Sequence, residues 1–374
     1  MIDFFSPDYS TARTRFRAAV LAQGGQIESI LLDAKGPAGN DLTIDIGWFG
    51  SPAPKRAFIH SSGLHGVEGF AGSAIQLQWL EEGIPEPAPD CAIAIAHALN
   101  PFGMAWLRRV NENNVDLNRN FLGADAEFSG APDRYVALDA FLNPASPPSS
   151  PLTELFALRA AGKILHYGMP ALRRAIASGQ YDFPRGLFFG GKHREQGPRR
   201  FQLYISGRFS DSSRLVAIDV HTGLGRFGED CLLVGDDAGR LASAAEMQLA
   251  YGNRVQSPDA KNIGYRPHGA QDGLYYRMFP AAQVCFAVQE FGTRHPLAVL
   301  AALRAENRSH HYGVAGAAEN DRAKERLLEV FCPSSKRWRE QVLKRGREVI
   351  HQGLALAFDS APGDAICDII GSSS

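Results

Sequence analysis

Apolar residues from about Tyr9 to Leu21 recur at mixed three- and four-residue spacings, which predicts an opening helix; short strand patterns follow at Ile27–Leu32 and Leu42–Trp48. Arg56–Ser61 (RAFIHS) reads as a buried strand running into a Gly-rich turn, and Phe70–Leu80 (FAGSAIQLQWL) returns to helical spacing. The segment SSGLHGVEG therefore falls at a strand-to-helix junction. Further apolar strand runs occupy Cys91–His97, Leu215–Val220, Cys231–Val234 and Val284–Val288, with helix-like stretches between several of them. This alternation predicts an α/β fold with a sheet covered on both faces.

Residues 123–210 break the alternation. They hold NPASPPSSP, a helical pattern LTELFALRAAGKILHYGMPALRRAIASG and an aromatic, Gly-rich YDFPRGLFFGGKHR, and predict a lobe inserted between core strands. Beyond about Pro296 the pattern is helical, including RAKERLLEVF and a basic stretch from Lys336 to Phe358, and the tail SSS is expected to fray. No internal repeat is present.

Composition narrows the function classes. The chain has 374 residues, long enough for a large core, and a single α/β domain reaches this size. Lys and Arg number 39 against 40 Asp and Glu, a formal charge of −1, so no global attraction favours nucleic acid or an anionic membrane as a partner. Apolar residues at 45% and charged residues at 21% mark a folded globular chain. Cys91, Cys231, Cys285, Cys332 and Cys367 are scattered, odd in number and lack a CxxC, which argues against a disulfide framework or a cysteine zinc knuckle. The N-terminus lacks a basic segment followed by an apolar one, and no window approaches the ~18 apolar residues that span a bilayer, so the expectation is a cytoplasmic protein.

Four segments carry chemistry. In His65-Gly66-Val67-Glu68, a His and a Glu three residues apart at a strand-to-helix turn can converge on one metal ion. The same pattern also fits a plain helix N-terminus with an acidic residue favoured by the dipole. In LVAIDVHTG, strand alternation puts Val216, Ile218 and Val220 on one face and Ala217, Asp219 and His221 on the other. His221 then emerges at a strand end as a third ligand, with Asp219 either supporting it or bonding local backbone. VDLNRNF offers Asn118 and Arg119, an amide and a guanidinium fork suited to a carboxylate, although an isolated Asn-Arg pair more often caps a loop or makes a surface contact. Glu290, in VCFAVQEFGT, ends an apolar strand where ligand crevices open in α/β sheets. There it can act as a proton carrier or as an ion-pair partner.

Other signals lose on context. Gly223–Gly228 matches GxGxxG, but CLLVG follows where a dinucleotide site needs a helix, and GLFFGGK places His193 where a phosphate loop needs Ser or Thr. HExxH and GxSxG motifs are absent. His60 and His97 read as core or rim histidines, His310-His311 as a surface pair, and the basic residues of 336–347 as a solvated amphipathic face beside Trp338, Val342 and Val349.

HGVEG, then Asn100-Pro101, VDLNRNF, DVHTG and the strand-end Glu290, in this order, resemble the carboxypeptidase A-like zinc metallocarboxypeptidase superfamily. The resemblance covers residues 56–295 and is nearest to a bacterial branch, with the aspartoacylase and succinylglutamate desuccinylase deacylases as more distant relatives. It implies one domain over residues 1–374, with a mixed central sheet, a core at 56–295, the inserted lobe at 123–210 and C-terminal helices at 296–360. It implies one zinc ion per chain on His65, Glu68 and His221, a carboxylate grip by Asn118 and Arg119, and Glu290 as general base and acid. Arg109, or its neighbour Arg108, takes the place of the arginine that polarises the scissile carbonyl. Tyr265 stands near the substrate-capping tyrosine, about one residue out of step. The implied activity is cleavage of an amide next to a carboxylate-bearing group, first as a metallocarboxypeptidase-type C-terminal exopeptidase acting on a small peptide, with an N-acyl-amino-acid deacylase as the alternative, and with no nucleic-acid or membrane partner.

Two features depart from the pattern. The long separation of Glu68 from His221 is ascribed to the lobe, which would wall or lid the site and take the substrate away from a peptide. The short run before the core strand gives the expectation that regulation by cleavage of an inhibitory prodomain is not used. A non-catalytic metal- or carboxylate-binding protein on the same scaffold is the alternative, and Glu290 with an upstream Arg weighs against it.

Overall fold

The computed structural model describes residues 3–148, 155–235, 240–257, 266–314 and 316–359. Tyr265 and the Ser tail lie outside them. Among the described residues eight strands form one sheet: β1 (Gln26–Lys35), β2 (Asp41–Gly50), β3 (Arg56–Ser62), β4 (Cys91–His97), β5 (Arg214–Phe227), β6 (Asp230–Leu233), β7 (Val255–Gln256) and β8 (Gln283–Gly292), in the order β1-β2-β4-β3-β5-β8-β6-β7. β4, β3, β5 and β8 run parallel at the centre, while β2 joins β4 and β6 joins β8 antiparallel, so the sheet is mixed. The central strands are buried along nearly their whole length, as parallel strands covered on both faces must be.

Strand alternation sorts the two cores. Phe58, Ile93, Ile95, Val216, Ile218 and Val220 point to a face covered by α1 (Tyr9–Ala22), α2 (Gly69–Glu82) and α12 (Lys336–Phe358), which contribute Phe16, Trp79 and Trp338. Ile59, Ala94, Leu215 and Ala217 point to the other, under Phe201 and Ile205 of α7 (Gln196–Arg208), its C-terminal cap Phe209, and Leu274 of α9 (Asp272–Met278), the helix that follows α8 (Leu241–Tyr251). Each fully buried side chain of this size contributes about 1.5–3 kcal/mol. The basic stretch of α12 keeps Lys336, Arg337, Lys344 and Arg347 exposed while Trp338, Val342 and Val349 are buried, the solvated face that its pattern predicts.

Among the described residues, four helices separate β4 and β5 beyond the short α3 (Pro101–Ala105): α4 (Asp133–Leu142), α5 (Phe156–Tyr167), α6 (Met169–Ala177) and α7. The single helical pattern of the sequence is split at Gly168, whose φ of +76° an L side chain rarely adopts. α4, α5 and α6 share an apolar cluster of their own, centred on Tyr135, Leu138, Phe141, Phe156 and Leu172, whereas α7 packs on the sheet. The cluster meets Leu297 and Leu300 of α10 (Pro296–Tyr312), which is followed by α11 (Ala318–Phe331). The formal dinucleotide motif runs along the end of β5 to the turn at Gly228, and Cys231–Leu233 of the following CLLVG belong to β6 rather than to a helix.

Candidate metal centre

The parallel strands β3, β5 and β8 end at a common edge of the sheet, and the chemistry-bearing residues gather there. His65 follows β3 and caps a single 3-10 turn, Gly66–Glu68, from which α2 departs. That turn is pressed against the backbone of α3: a Cβ on Gly66 would lie 2.0 Å from the carbonyl carbon of Gly103. Two backbone bonds fasten it to the next loop, Gly66 N–H to Arg109 O at 3.1 Å and Val67 N–H to Arg108 O at 3.0 Å. Asn100 accepts from Gly103 N–H at 2.8 Å to start α3, with Pro101 at its first position.

His65 Nδ1 lies 2.9 Å from Glu68 Oε1, His221 Nδ1 3.3 Å from Glu68 Oε2, and the two Nδ1 atoms are 3.2 Å apart. Tetrahedral zinc with bonds of about 2.0–2.1 Å spaces its ligand atoms about 3.3 Å apart, so this donor set fits such an ion. Among the described residues these three form the one His/Cys/Asp/Glu group tight enough to hold a metal, and all three are buried. Each imidazole turns its other nitrogen to a carboxylate: His65 Nε2 to Asp116 Oδ1 at 2.9 Å, His221 Nε2 to Asp219 Oδ2 at 2.6 Å. A proton held on Nε2 leaves the Nδ1 lone pair for a cation. Asp219 is in turn fixed by Ser61 Oγ at 2.5 Å, its register partner on β3. Thr222 N–H donates to Glu68 Oε2 at 3.0 Å.

The electrostatics follow from this packing. Burial pushes the Glu68 carboxyl up, but His65 and His221 outweigh it and hold the group well below the usual range. Asp116 is likewise raised by burial and pulled far down by Arg109, Arg119 and His65. Burial opposes the charge on His221, yet Asp219 and Glu68 lift its pKa well above the ordinary value. Glu290 goes the other way: burial, then repulsion from Glu68, raise it to about 8 against the pull of His221, the Leu224 N–H and Arg109.

Glu290 sits on β8 in register with His221, and Leu224 N–H donates to its Oε1 at 2.9 Å. Arg109 faces the cluster, with Nη2 at 3.2 Å from His65 Nδ1, Nε at 3.6 Å from Glu68 Oε1 and an ion pair to Asp116. Arg108 points away, bound to Glu306 of α10 at 2.6 Å and to Asn114 at 3.0 Å. Arg119 is enclosed. Its Nε and Nη2 donate to Ala177 O at the end of α6, at 3.1 and 2.6 Å, and Nη1 donates to Asn118 O at 2.9 Å. Asn118 Oδ1 accepts from Gln271 N–H at 3.1 Å. The ring of Phe188 lies under both guanidinium groups, 5.1 Å from Arg109 and 5.7 Å from Arg119.

Seven sequence-predicted residues, His65, Glu68, Arg109, Asn118, Arg119, His221 and Glu290, line one cavity of about 660 Å³; Tyr265 lies outside the described residues. Sequence reasoning missed Asp116, although it stands two residues before Asn118 in VDLNRNF. His60 and His97 are fully buried, bonded to Gln76 and Ser73, and play no part in the cluster.

A mixed α/β sheet with a buried His-Glu-His cluster at the C-terminal edge of its parallel strands defines an α/β protein with a candidate metal centre. Residues 5–345 match the family model described as "Protein of unknown function (DUF2817)", and the chain belongs to that family. No curated protein matches the chain. Among solved structures it is similar to carboxypeptidase A of Helicoverpa armigera, at 12% identity over 86% of this chain and 73% of that one, with a TM-score of 0.44. It is also similar to the murein-tripeptide amidase of Escherichia coli O157 (14% identity, 80% and 91% covered, TM-score 0.36) and to an aspartoacylase family protein of Mesorhizobium loti (11%, 85% and 71%, 0.38). These are likenesses of fold alone. No helix among the described residues is long and apolar enough to cross a membrane.

Proposed function

We propose that the chain is a zinc-dependent hydrolase that cleaves an amide next to a carboxylate-bearing group. The observation that carries this reading is the convergence of His65 Nδ1, His221 Nδ1 and the Glu68 carboxylate, with both Nε2 atoms tied to carboxylates, in a cavity that also holds Glu290. His65, Glu68 and His221 would hold the ion, which when bound supplies Lewis-acid polarisation of water and of the substrate carbonyl. Glu290, desolvated and next to His221 in the sheet, takes the proton from the attacking water and passes it to the leaving amine. Arg109 donates to the carbonyl oxygen as negative charge develops there.

Asn118 and Arg119 are assigned to substrate orientation. Arg119 already donates to two backbone carbonyls and pairs with Asp116 at 3.8 Å, so its contribution runs through fixed charge and through the position of Asn118. Among the described residues Cys91, Cys231, Cys285 and Cys332 are free thiols, which suits the cytoplasmic placement we assign.

Elemental mass spectrometry of the purified chain tests the metal. About one zinc per chain, lost in His221→Ala, supports the reading; a folded wild type that neither carries nor takes up a divalent ion refutes it, in favour of a binding protein without turnover.

A further inference from the structure

The cavity that holds the cluster does not end at the polar residues. Its wall continues along the lobe and α10 as Leu138 and Phe141 of α4, Ile164 of α5, Leu172 and Ile176 of α6 and Leu300 of α10. Ile164, Ile176 and Leu300 are only partly buried by the lobe's own cluster, so each turns apolar surface into the cavity. The lobe is held to the site by Arg119, which donates to Ala177 O at the last residue of α6. The cavity, which is partly open to solvent, thus has a catalytic-type end and a largely aliphatic wall, and its volume of about 660 Å³ lies within the roughly 300–1,000 Å³ of small-ligand sites.

Among the described residues the cavity's bases are Lys163 and Arg173 on the wall helices themselves and Arg240, Arg266 and Arg277 outside them, and its acid beyond Glu68 and Glu290 is Asp272, which is paired with Arg240. Aliphatic wall and basic border together fit an anionic amphiphile. We propose that the chamber walled by α4, α5 and α6 receives the aliphatic chain of a long-chain N-acyl amino acid, with the amide at the His65–Glu68–His221 end and the carboxylate directed away from those helices, toward Arg240, Arg266 and Arg277. This inference rests on the hydrolase reading for its chemistry, and on the chamber alone for its chain preference.

Binding separates the two. N-acetyl-, N-hexanoyl-, N-octanoyl- and N-decanoylglycine are titrated calorimetrically into the full chain, chelator-treated and zinc-supplemented. The expected result is an affinity that rises about two- to fourfold per added methylene. That dependence is expected to shrink in Ile164→Asn and Ile176→Asn, both at partly exposed positions, with thermal melts showing that each variant is folded. A flat series, or a dependence left intact in both folded variants, overturns the proposal. Chain-length-dependent binding without hydrolysis would leave the chamber standing and remove the hydrolase reading. Hydrolysis of short acyl or peptide substrates with no gain from chain length would do the reverse.

Discussion

Glu290 stands directly opposite His221 in the parallel β5–β8 pairing, on the strand next to the one that presents the histidine. A carboxylate at that station is held by sheet register rather than by a loop, and its one backbone donor, Leu224 N–H at 2.9 Å, comes from the continuation of the same β5. Replacement by Gln keeps the shape and removes the base. Glu290→Gln should lower amide turnover by about 10²–10⁴-fold while zinc content stays at the wild-type level. Parallel loss of metal and activity would instead make Glu290 part of the ligand set.

The two neighbouring arginines should separate cleanly. Arg108 and Glu306 are both buried, and removing one partner of such a pair costs about 3–5 kcal/mol. Arg108→Met should therefore show a clear drop in urea or thermal stability. Arg109→Met breaks the pair with buried Asp116 and should lose stability as well, but it alone should cost about 10²–10³ in kcat, the scale of a lost oxyanion donor. If kcat falls in folded Arg108→Met and holds in folded Arg109→Met, the assignment of Arg109 to the carbonyl is wrong.

Asp116 supports His65, Arg109 and Arg119 at once. Asp116→Asn retains a hydrogen-bonding atom for His65 but not the charge, and should weaken zinc affinity by about 10–100-fold, read by competition with a chromophoric chelator. Unchanged affinity would reduce Asp116 to a folding role.

The pH dependence of the metal-free chain has a definite sign. Glu290 has a folded-state pKa of about 8 against an ordinary 4.5, and that of His221 lies well above 6.5. In both cases the folded state binds more protons than the unfolded one, so stability falls as pH rises: from about 5 to 8 through Glu290, and above about 6.5 through His221. Glu68 and Asp116, both depressed, act in the opposite sense and lose their stabilisation only as pH falls below the ordinary carboxylate range. Thermal melts in chelator should show Tm decreasing between about pH 5 and 8, with a shallower slope in Glu290→Gln. A Tm that rises across this window would show that Glu290 is already ionised in the folded chain.

Local patterns in the sequence were enough for the strands, the HGVEG junction and the face on which Asp219 and His221 lie, because period-two alternation decides which side chains share a side. Register was not legible. The pairing of His221 with Glu290 depends on strands joined through some sixty intervening residues, and the capture of Arg119 by Ala177 O depends on where α6 ends. A fork that reads as open to a carboxylate is, in three dimensions, largely committed to backbone. Asp116 escaped notice for a related reason: a lone Asp in a loop carries no signature until the histidine and two arginines it serves are brought around it.

The two backbone bonds from Gly66 and Val67 to the carbonyls of residues 109 and 108 have a mechanical meaning. The turn that presents His65 and Glu68 and the loop that presents Arg109 form a single splint, seated on α3 without room for even a methyl group at Gly66. Strain at the arginine is therefore transmitted to the histidine and the carboxylate, and none of the three can be retuned alone. The helices α4, α5 and α6 across the cavity are joined to the splint: α6 ends on Arg119, which pairs with Asp116 and through it with Arg109 and His65, so their cavity-facing side chains can vary only while the end of α6 keeps its place.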